Sequence, residues 1–237
     1  MDGFTYTNIF DTKGIEYIVI IAFLLLLIPF WLALNKPVLI NEKFRKALGV
    51  LSAAVLRIPQ GIFYSKNHTW AYLEKSGAAK VGLDDLLVHI TGEVNIRQLK
   101  NPGDSVRKGD LLAEMDQNGK SLNVLSPISG TILNSNSDLN VNRELLNEDP
   151  YGKGWLYDIK PTNWVAEIPS FYMANEATDW FNKELIRYKD FLALNMKKYS
   201  PDPSMIILQD GGELSENSLS GMPDELWKDF QKEFLNL

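Results

Sequence analysis

Cysteine is absent from the 237 residues, so disulfides, thiolate zinc sites, iron–sulfur clusters bound by this chain and cysteine nucleophiles are all excluded. Histidine is nearly absent too. Only His68 and His89 occur, which argues against a histidine-rich metal site, and no metal ligand set is expected. Basic charge is short relative to acid. The net charge is −6, and residues 201–237 account for all of it, with Asp202, Asp210, Glu213, Glu216, Asp224, Glu225, Asp229 and Glu233 against only Lys228 and Lys232. The rest of the chain is balanced, so it offers no basic face to a phosphate backbone and nucleic-acid binding is not expected. No Gly-x-Gly-x-x-Gly loop opens a helix, which removes the usual nucleotide fingerprint. What is present is an ordinary globular composition, 45% apolar and 23% charged. It suffices for one full domain with added elements or for two small ones.

One long apolar run stands out. Residues 15–34 read IEYIVIIAFLLLLIPFWLAL, with Glu16 as their single charge. At 1.5 Å per residue such a run covers about 30 Å, the thickness of a bilayer core. A transmembrane helix is therefore expected at 15–34, with Phe30 and Trp31 contacting the membrane as an aromatic belt. A cleaved signal peptide does not fit, because the basic leader is missing and no A-x-A-like site follows directly. Lys36, Lys43, Arg45 and Lys46 follow the run, whereas Lys13 alone precedes it. The positive-inside rule then puts residues 1–14 outside the cell and the main domain in the cytoplasm, a single-pass arrangement in the cell (inner) membrane. Residues 35–61 form the expected linker. Phe44, Leu48, Leu51, Val55 and Ile58 share one helical face there, with Arg45, Lys46 and Arg57 near lipid phosphates.

From residue 62 to 163 the pattern changes to short apolar segments punctuated by turns. The turns are Asn101-Pro102-Gly103, Lys108-Gly109-Asp110, Asn118-Gly119 and Ser129-Gly130, and the spacing predicts a small all-β sandwich or barrel. Pro102-Gly103, Val106 and Gly109-Asp110-Leu111 resemble the turn-strand-turn unit of biotinyl and lipoyl carrier domains (the single hybrid motif). Val124-Leu125-Ser126-Pro127-Ile128-Ser129-Gly130 resembles their second hallmark. Longer words narrow the likeness. Tyr64-Ser65-Lys66-Asn67-His68-Thr69-Trp70, Val81-Gly82-Leu83 with Gly92, Gly103 with Gly109, and above all residues 148–156, EDPYGKGWL, resemble the H protein of the glycine cleavage system. The resemblance implies a mainly β, lipoyl-domain-like hybrid barrel-sandwich. It also implies a carrier whose lipoyl-lysine, at a hairpin tip, shuttles an aminomethyl group between partner enzymes.

The resemblance places that lysine eight residues before Pro127, where this chain has Gly119. The nearby lysine is Lys120. A shift of one residue turns a side chain to the other face of a hairpin, and Asn118-Gly119 reads as an ordinary two-residue turn. Two expectations follow: no cofactor, with Lys120 a solvated turn lysine, or lipoate carried on Lys120 through a shifted turn. No catalytic residue is expected. His68 beside Trp70 reads as a packing residue. Asp84 and Asp85, being adjacent, point to opposite faces or lie solvated in a turn, so they form no acid–base pair.

Residues 164–200 contain an amphipathic helix, with Ala177, Phe181, Leu185, Tyr188, Leu192 and Met196 at steps of three and four and Trp180, Phe191 and Leu194 widening its face. Residues 201–237 form an acidic tail with a short strand-like run at Met205-Ile206-Ile207-Leu208 and a terminal helix carrying Leu226, Trp227, Phe230 and Phe234. Trp227, Phe230 and Phe234 are expected to dock on a partner subunit, with fold-back onto the chain's own domain as the alternative. Two function classes are thereby expected. One is a non-catalytic, membrane-anchored scaffold or accessory subunit of a cytoplasmic-face complex, of respiratory or redox type. The other is a lipoylated carrier using Lys120 between membrane-associated enzymes. Both imply protein partners.

Overall fold

Short strands, most of five to seven residues where they form the sheets, build two β-layers in a computed structural model that describes residues 9–34, 50–199 and 214–236. The chain divides into two compact units, 1–41 and 42–237. In the first, helix α1 spans Ile9–Leu34 and runs through Pro29. Its described side chains, residues 17–31, all face outward, Phe30 and Trp31 being 60% and 63% exposed. Among the described residues no helix is long and apolar enough to cross a membrane, so the expected span gains no support there.

The second unit opens with strand β1 (Val50–Leu51) and then a turn held by the Val55 N–H donating to the Ser52 carbonyl. This corrects the expected helical face over residues 44–58, of which Phe44, Leu48, Arg45 and Lys46 lie outside the described residues. From Val50 onward the segment is strand and turn, Leu51 and Leu56 are buried in the core, and Arg57 binds protein instead of lipid.

The layers follow from alternation. Strands β2 (Phe63–Tyr64), β3 (Thr69–Leu73) and β4 (Ala79–Leu83) pair antiparallel, and helix α2 (Asp85–Thr91) follows β4 directly. Strands β5 (Asn95–Gln98), β6 (Ser105–Val106), β7 (Leu111–Gln117), β8 (Lys120–Leu125) and β9 (Gly130–Ser135) come next. They precede the short helices α3 (Asp138–Val141) and α4 (Leu145–Glu148), strand β10 (Tyr157–Pro161) and helix α5 (Trp164–Glu167). One sheet has the order β2-β3-β4-β10-β9-β6, the other β5-β7-β8. The burial of Val81, Leu83, Leu112, Met115, Leu122, Val124, Ile132 and Ile159 places the core between them. The protein is thus a mainly β sandwich with C-terminal helices, as the strand pattern predicts.

Two of the sequence words show their cause in this frame. Trp70 sits opposite Gly82 across β3 and β4, and a Cβ on Gly82 would lie 2.7 Å from the indole. Glycine therefore lets the fully buried ring lie flat over the neighbouring strand while its Nε1–H donates to the Leu83 carbonyl at 2.9 Å. Tyr151, from the 148–156 word, meets Trp70 and Tyr64 in ring contacts at 5.8 and 6.0 Å and accepts the Asp85 N–H. The distant words converge on one aromatic cluster at the start of α2.

Helix α6 (Ala174–Tyr199) packs the faces carrying Ala177, Phe181, Leu185, Tyr188 and Leu192 inward. Leu194, expected on that face, is instead exposed. Strand β11 (Leu214–Ser215) pairs with β1, joining the two ends of the second unit. Helix α7 (Asp224–Asp229) follows and continues as a wider π turn over Phe230–Phe234. The strand-like run at Met205-Ile206-Ile207-Leu208 lies outside the described residues.

Candidate functional site

A two-residue type I′ turn needs positive φ at both central positions, and the β7–β8 hairpin supplies it with Asn118 at φ 54° and Gly119 at φ 80°. Gln117 and Lys120 close the turn as a cross-strand pair. The Gln117 amide donates to the Thr91 and Glu93 carbonyls at 3.0 and 2.6 Å, fixing the hairpin against the end of α2. Gly119, the position that the family resemblance assigns to the lipoyl-lysine, is at the tip, and no heavy atom beyond its chain neighbours lies within 4 Å of where its Cβ would be.

Lys120 is not a solvated turn lysine. Its Nζ donates to the Ser220 carbonyl at 2.7 Å and to the Met222 carbonyl at 2.9 Å, and sits 5.2 Å from the centre of the Trp227 ring. Both carbonyls belong to the turn before α7. The same C-terminal segment runs along β8, the edge strand of its sheet, where Gln231 Oε1 accepts the Asn123 N–H at 2.8 Å. A strand edge that would otherwise present unpaired backbone groups is covered by its own chain.

The expected docking face is filled from within. Trp227, Phe230 and Phe234 are buried within the chain: Phe230 and Phe234 pack on α6, Phe230 meeting Tyr188 at 5.8 Å and Phe191 at 5.7 Å and Phe234 meeting Tyr188 at 5.6 Å, while Trp227 Nε1–H donates to the Leu219 carbonyl at 2.9 Å. Docking of these three rings on a partner is therefore corrected to fold-back. Burying three aromatic side chains is worth several kcal/mol.

Phe234 also stacks on His68 at 5.3 Å, and Trp180 stacks on His68 at 5.0 Å. The imidazole is fully buried, with Nδ1 2.8 Å from Asp84 Oδ2 and Nε2 3.4 Å from Glu184 Oε2, an ionic contact longer than a good hydrogen bond. Burial disfavours the imidazolium. The charge and hydrogen bond of Asp84, helped by Glu184, outweigh it and push the His68 pKa up to about 9. Burial likewise works to raise Glu184, but His68 and Arg187 hold its carboxyl below its ordinary value. Arg187 completes the chain by donating to the Phe234 carbonyl at 2.9 Å. His68 thus packs, as its place beside Trp70 suggests, while also carrying charge.

Asp84 and Asp85 are fully buried, which corrects the expectation of solvated turn carboxylates. They do diverge. Asp84 Oδ1 accepts the Leu87 N–H and caps α2, whereas Asp85 takes the Arg57 backbone N–H at 2.8 Å and the Arg57 Nε–H at 2.9 Å. Burial acts to raise Asp85, and the bonds from His89 and Arg57 overcome it and lower its pKa. Arg57 Nη2–H reaches on to the Asn147 carbonyl at 2.8 Å, tying the linker to α4. The pairing of Arg57 with Asp85 and that of Glu184 with His68 carried no sequence signal, since the partners lie far apart along the chain, whereas Glu184 and Arg187 pair locally three residues apart on α6. Among the described residues no group of three or more His, Asp or Glu is placed to hold a metal ion.

Comparison with known proteins fits these features. A profile of the glycine cleavage H-protein family matches residues 62–184, beyond the 62–163 boundary drawn from the sequence and into α6. The probable glycine cleavage system H protein of Pyrococcus horikoshii is 32% identical over 124 residues, covering 52% of this chain and 92% of that protein. That of Thermococcus kodakarensis is 35% identical over 112 residues, covering 47% and 83%. The glycine cleavage system H protein of Psychrobacter cryohalolentis is 32% identical over 119 residues, covering 50% and 94%. A crystal structure of a glycine cleavage system H protein from Mycobacterium marinum aligns at 28% identity and a TM-score of 0.41, covering 44% of this chain and 87% of that one. With the family's match spanning half of the chain and carrying the β-sandwich and its hairpin, the chain belongs to the glycine cleavage H-protein family, whose members are non-catalytic lipoyl carriers.

Proposed function

We propose that this chain is a non-lipoylated H-protein-like accessory subunit, held at a membrane by residues 15–34 and serving as a scaffold in a complex of cytoplasmic-face proteins. One observation carries the reading. The family's lysine position is Gly119, and the adjacent amine, Lys120, is spent on the Ser220 and Met222 carbonyls of the chain's own C-terminal segment. An arm attached there would have to displace these bonds. The apolar run at 15–34 of the sequence supports the membrane part. Carbonate extraction of membranes from the native host tests it: the full chain stays in the pellet, and a chain lacking residues 1–41 moves to the supernatant. Recovery of the full chain in the supernatant would remove the anchor.

Family membership favours a second reading, a lipoyl carrier in which Lys120 is the acceptor, working with protein partners of a glycine-cleavage type of complex. Lys120 is the only lysine of residues 111–125. The two readings differ in the mass of the hairpin peptide from the native host.

A further inference from the structure

The C-terminal segment is held in two unequal parts. Residues Leu226, Trp227, Phe230, Phe234 and Leu235 are buried in the core, whereas residues 215–223 are exposed or half-buried except for Leu219. Yet the lightly held part makes both hydrogen bonds to Lys120. It is fastened by Leu219, whose carbonyl accepts the Trp227 Nε1–H at 2.9 Å, by Ser215 pairing with Val50, by Glu216 3.6 Å from His89, by the Asn217 N–H on the His89 carbonyl at 2.7 Å, by the Leu219 N–H on the Ile90 carbonyl at 3.1 Å and by the Ser218 hydroxyl on Tyr188 at 2.8 Å. Asn217 takes φ 56°, a conformation that side chains rarely adopt. Local opening of such a turn costs less than global unfolding, because few buried apolar contacts are lost.

We infer that residues 215–223 are an autoinhibitory hasp: closed, they withhold the Lys120 amine from acyl transfer, and only local opening of this turn, with the aromatic segment behind it left seated, presents the amine. The inference deepens the reading of Lys120 as the amine beside the carrier position and rests on it. The step being gated is ordinary amide formation. The Lys120 ammonium gives a proton to water, its lone pair attacks the carbonyl of an activated carboxylic acid, the activating group departs with the bonding electrons, and the nitrogen gives a second proton to water as the amide forms.

The test uses the full chain in detergent and N-hydroxysuccinimidyl acetate, which acetylates an accessible amine with release of N-hydroxysuccinimide. Peptide mass spectrometry compares the rate at Lys120 with those at the exposed Lys75 and Lys183. Lys120 is expected to react about tenfold more slowly, the factor that about 1.4 kcal/mol of local opening imposes. Leu219→Ala removes the buried fastener, and Asn217→Pro removes an N–H donor and forbids the positive φ. Each should bring Lys120 towards the rate of Lys75 while the rates at Lys75 and Lys183 and the far-ultraviolet circular dichroism of the folded chain stay unchanged. If one variant fails to fold, the other decides. A native Lys120 that labels as fast as Lys75, or one that stays protected in a folded variant, overturns the hasp. Failure of the carrier reading is separate, since it is read from the modification state of the native chain and not from a labelling rate.

Discussion

His68 shows how a residue that reads as packing also sets an electrostatic requirement. Its ring lies between Trp180 and Phe234, and its two nitrogens face Asp84 and Glu184. Because the folded pKa is raised from 6.5 to about 9, the imidazolium contributes stability in full below about pH 6.5 and loses it as the pH rises through about 9. The difference in unfolding free energy between the native protein and His68→Gln, followed from pH 6 to 10 by urea titration, should therefore shrink with rising pH. A difference independent of pH would show that His68 is neutral in the fold. Removing one partner of a buried charged cluster costs about 3 to 5 kcal/mol, so the substitution is severe at neutral pH. Gly82 poses a purely steric case. A Cβ there meets the indole of Trp70 at 2.7 Å, so Gly82→Ala should destabilise by about 1 to 3 kcal/mol through overpacking. Gly119→Ala meets no obstacle and should cost about 1 kcal/mol from its positive φ alone. Thermal melts of the two variants check the order, and equal losses would contradict the steric account.

At the scale of elements, the C-terminal helix is the part whose surroundings the sequence leaves open. Its spacing shows that Trp227, Phe230 and Phe234 need cover, but period and composition are the same whether that cover is a partner or the chain's own α6. The deciding fact, the ring contacts with Tyr188 and Phe191, joins segments about 40 residues apart. Trp227→Ala with Phe230→Ala should lower the melting temperature of the isolated second unit sharply, since each truncation of a buried aromatic costs about 3 to 5 kcal/mol. An unchanged melt would revive partner docking. The β-layers were legible because alternation and turn residues are local signals, and the hairpin turn was legible from Asn118-Gly119 for the same reason. Helix α2 was not, because its seven residues are buried nearly all round and lack an amphipathic period. The linker misled in the opposite way: over the described residues 50–58 the three-and-four spacing of Leu51, Val55 and Ile58 mimicked a helix, while strand pairing with β11 and the Arg57–Asp85 bonds decide the path.

At the scale of the whole molecule, the chain is a carrier fold with additions at both ends. The H-protein-like domain supplies the sandwich and the hairpin; the segments flanking it pair with each other through β1 and β11, and the C-terminal one closes over the hairpin's outer strand. The C-terminal addition binds Lys120, next to the position that the family resemblance assigns to the attachment lysine. The proposed absence of an arm on this hairpin is tested most directly by the mass of the peptide containing residues 118–122, isolated from the native host without heterologous expression. An unmodified Lys120 is expected; a mass increased by one lipoyl group on Lys120 would overturn the proposal and make the chain a working carrier.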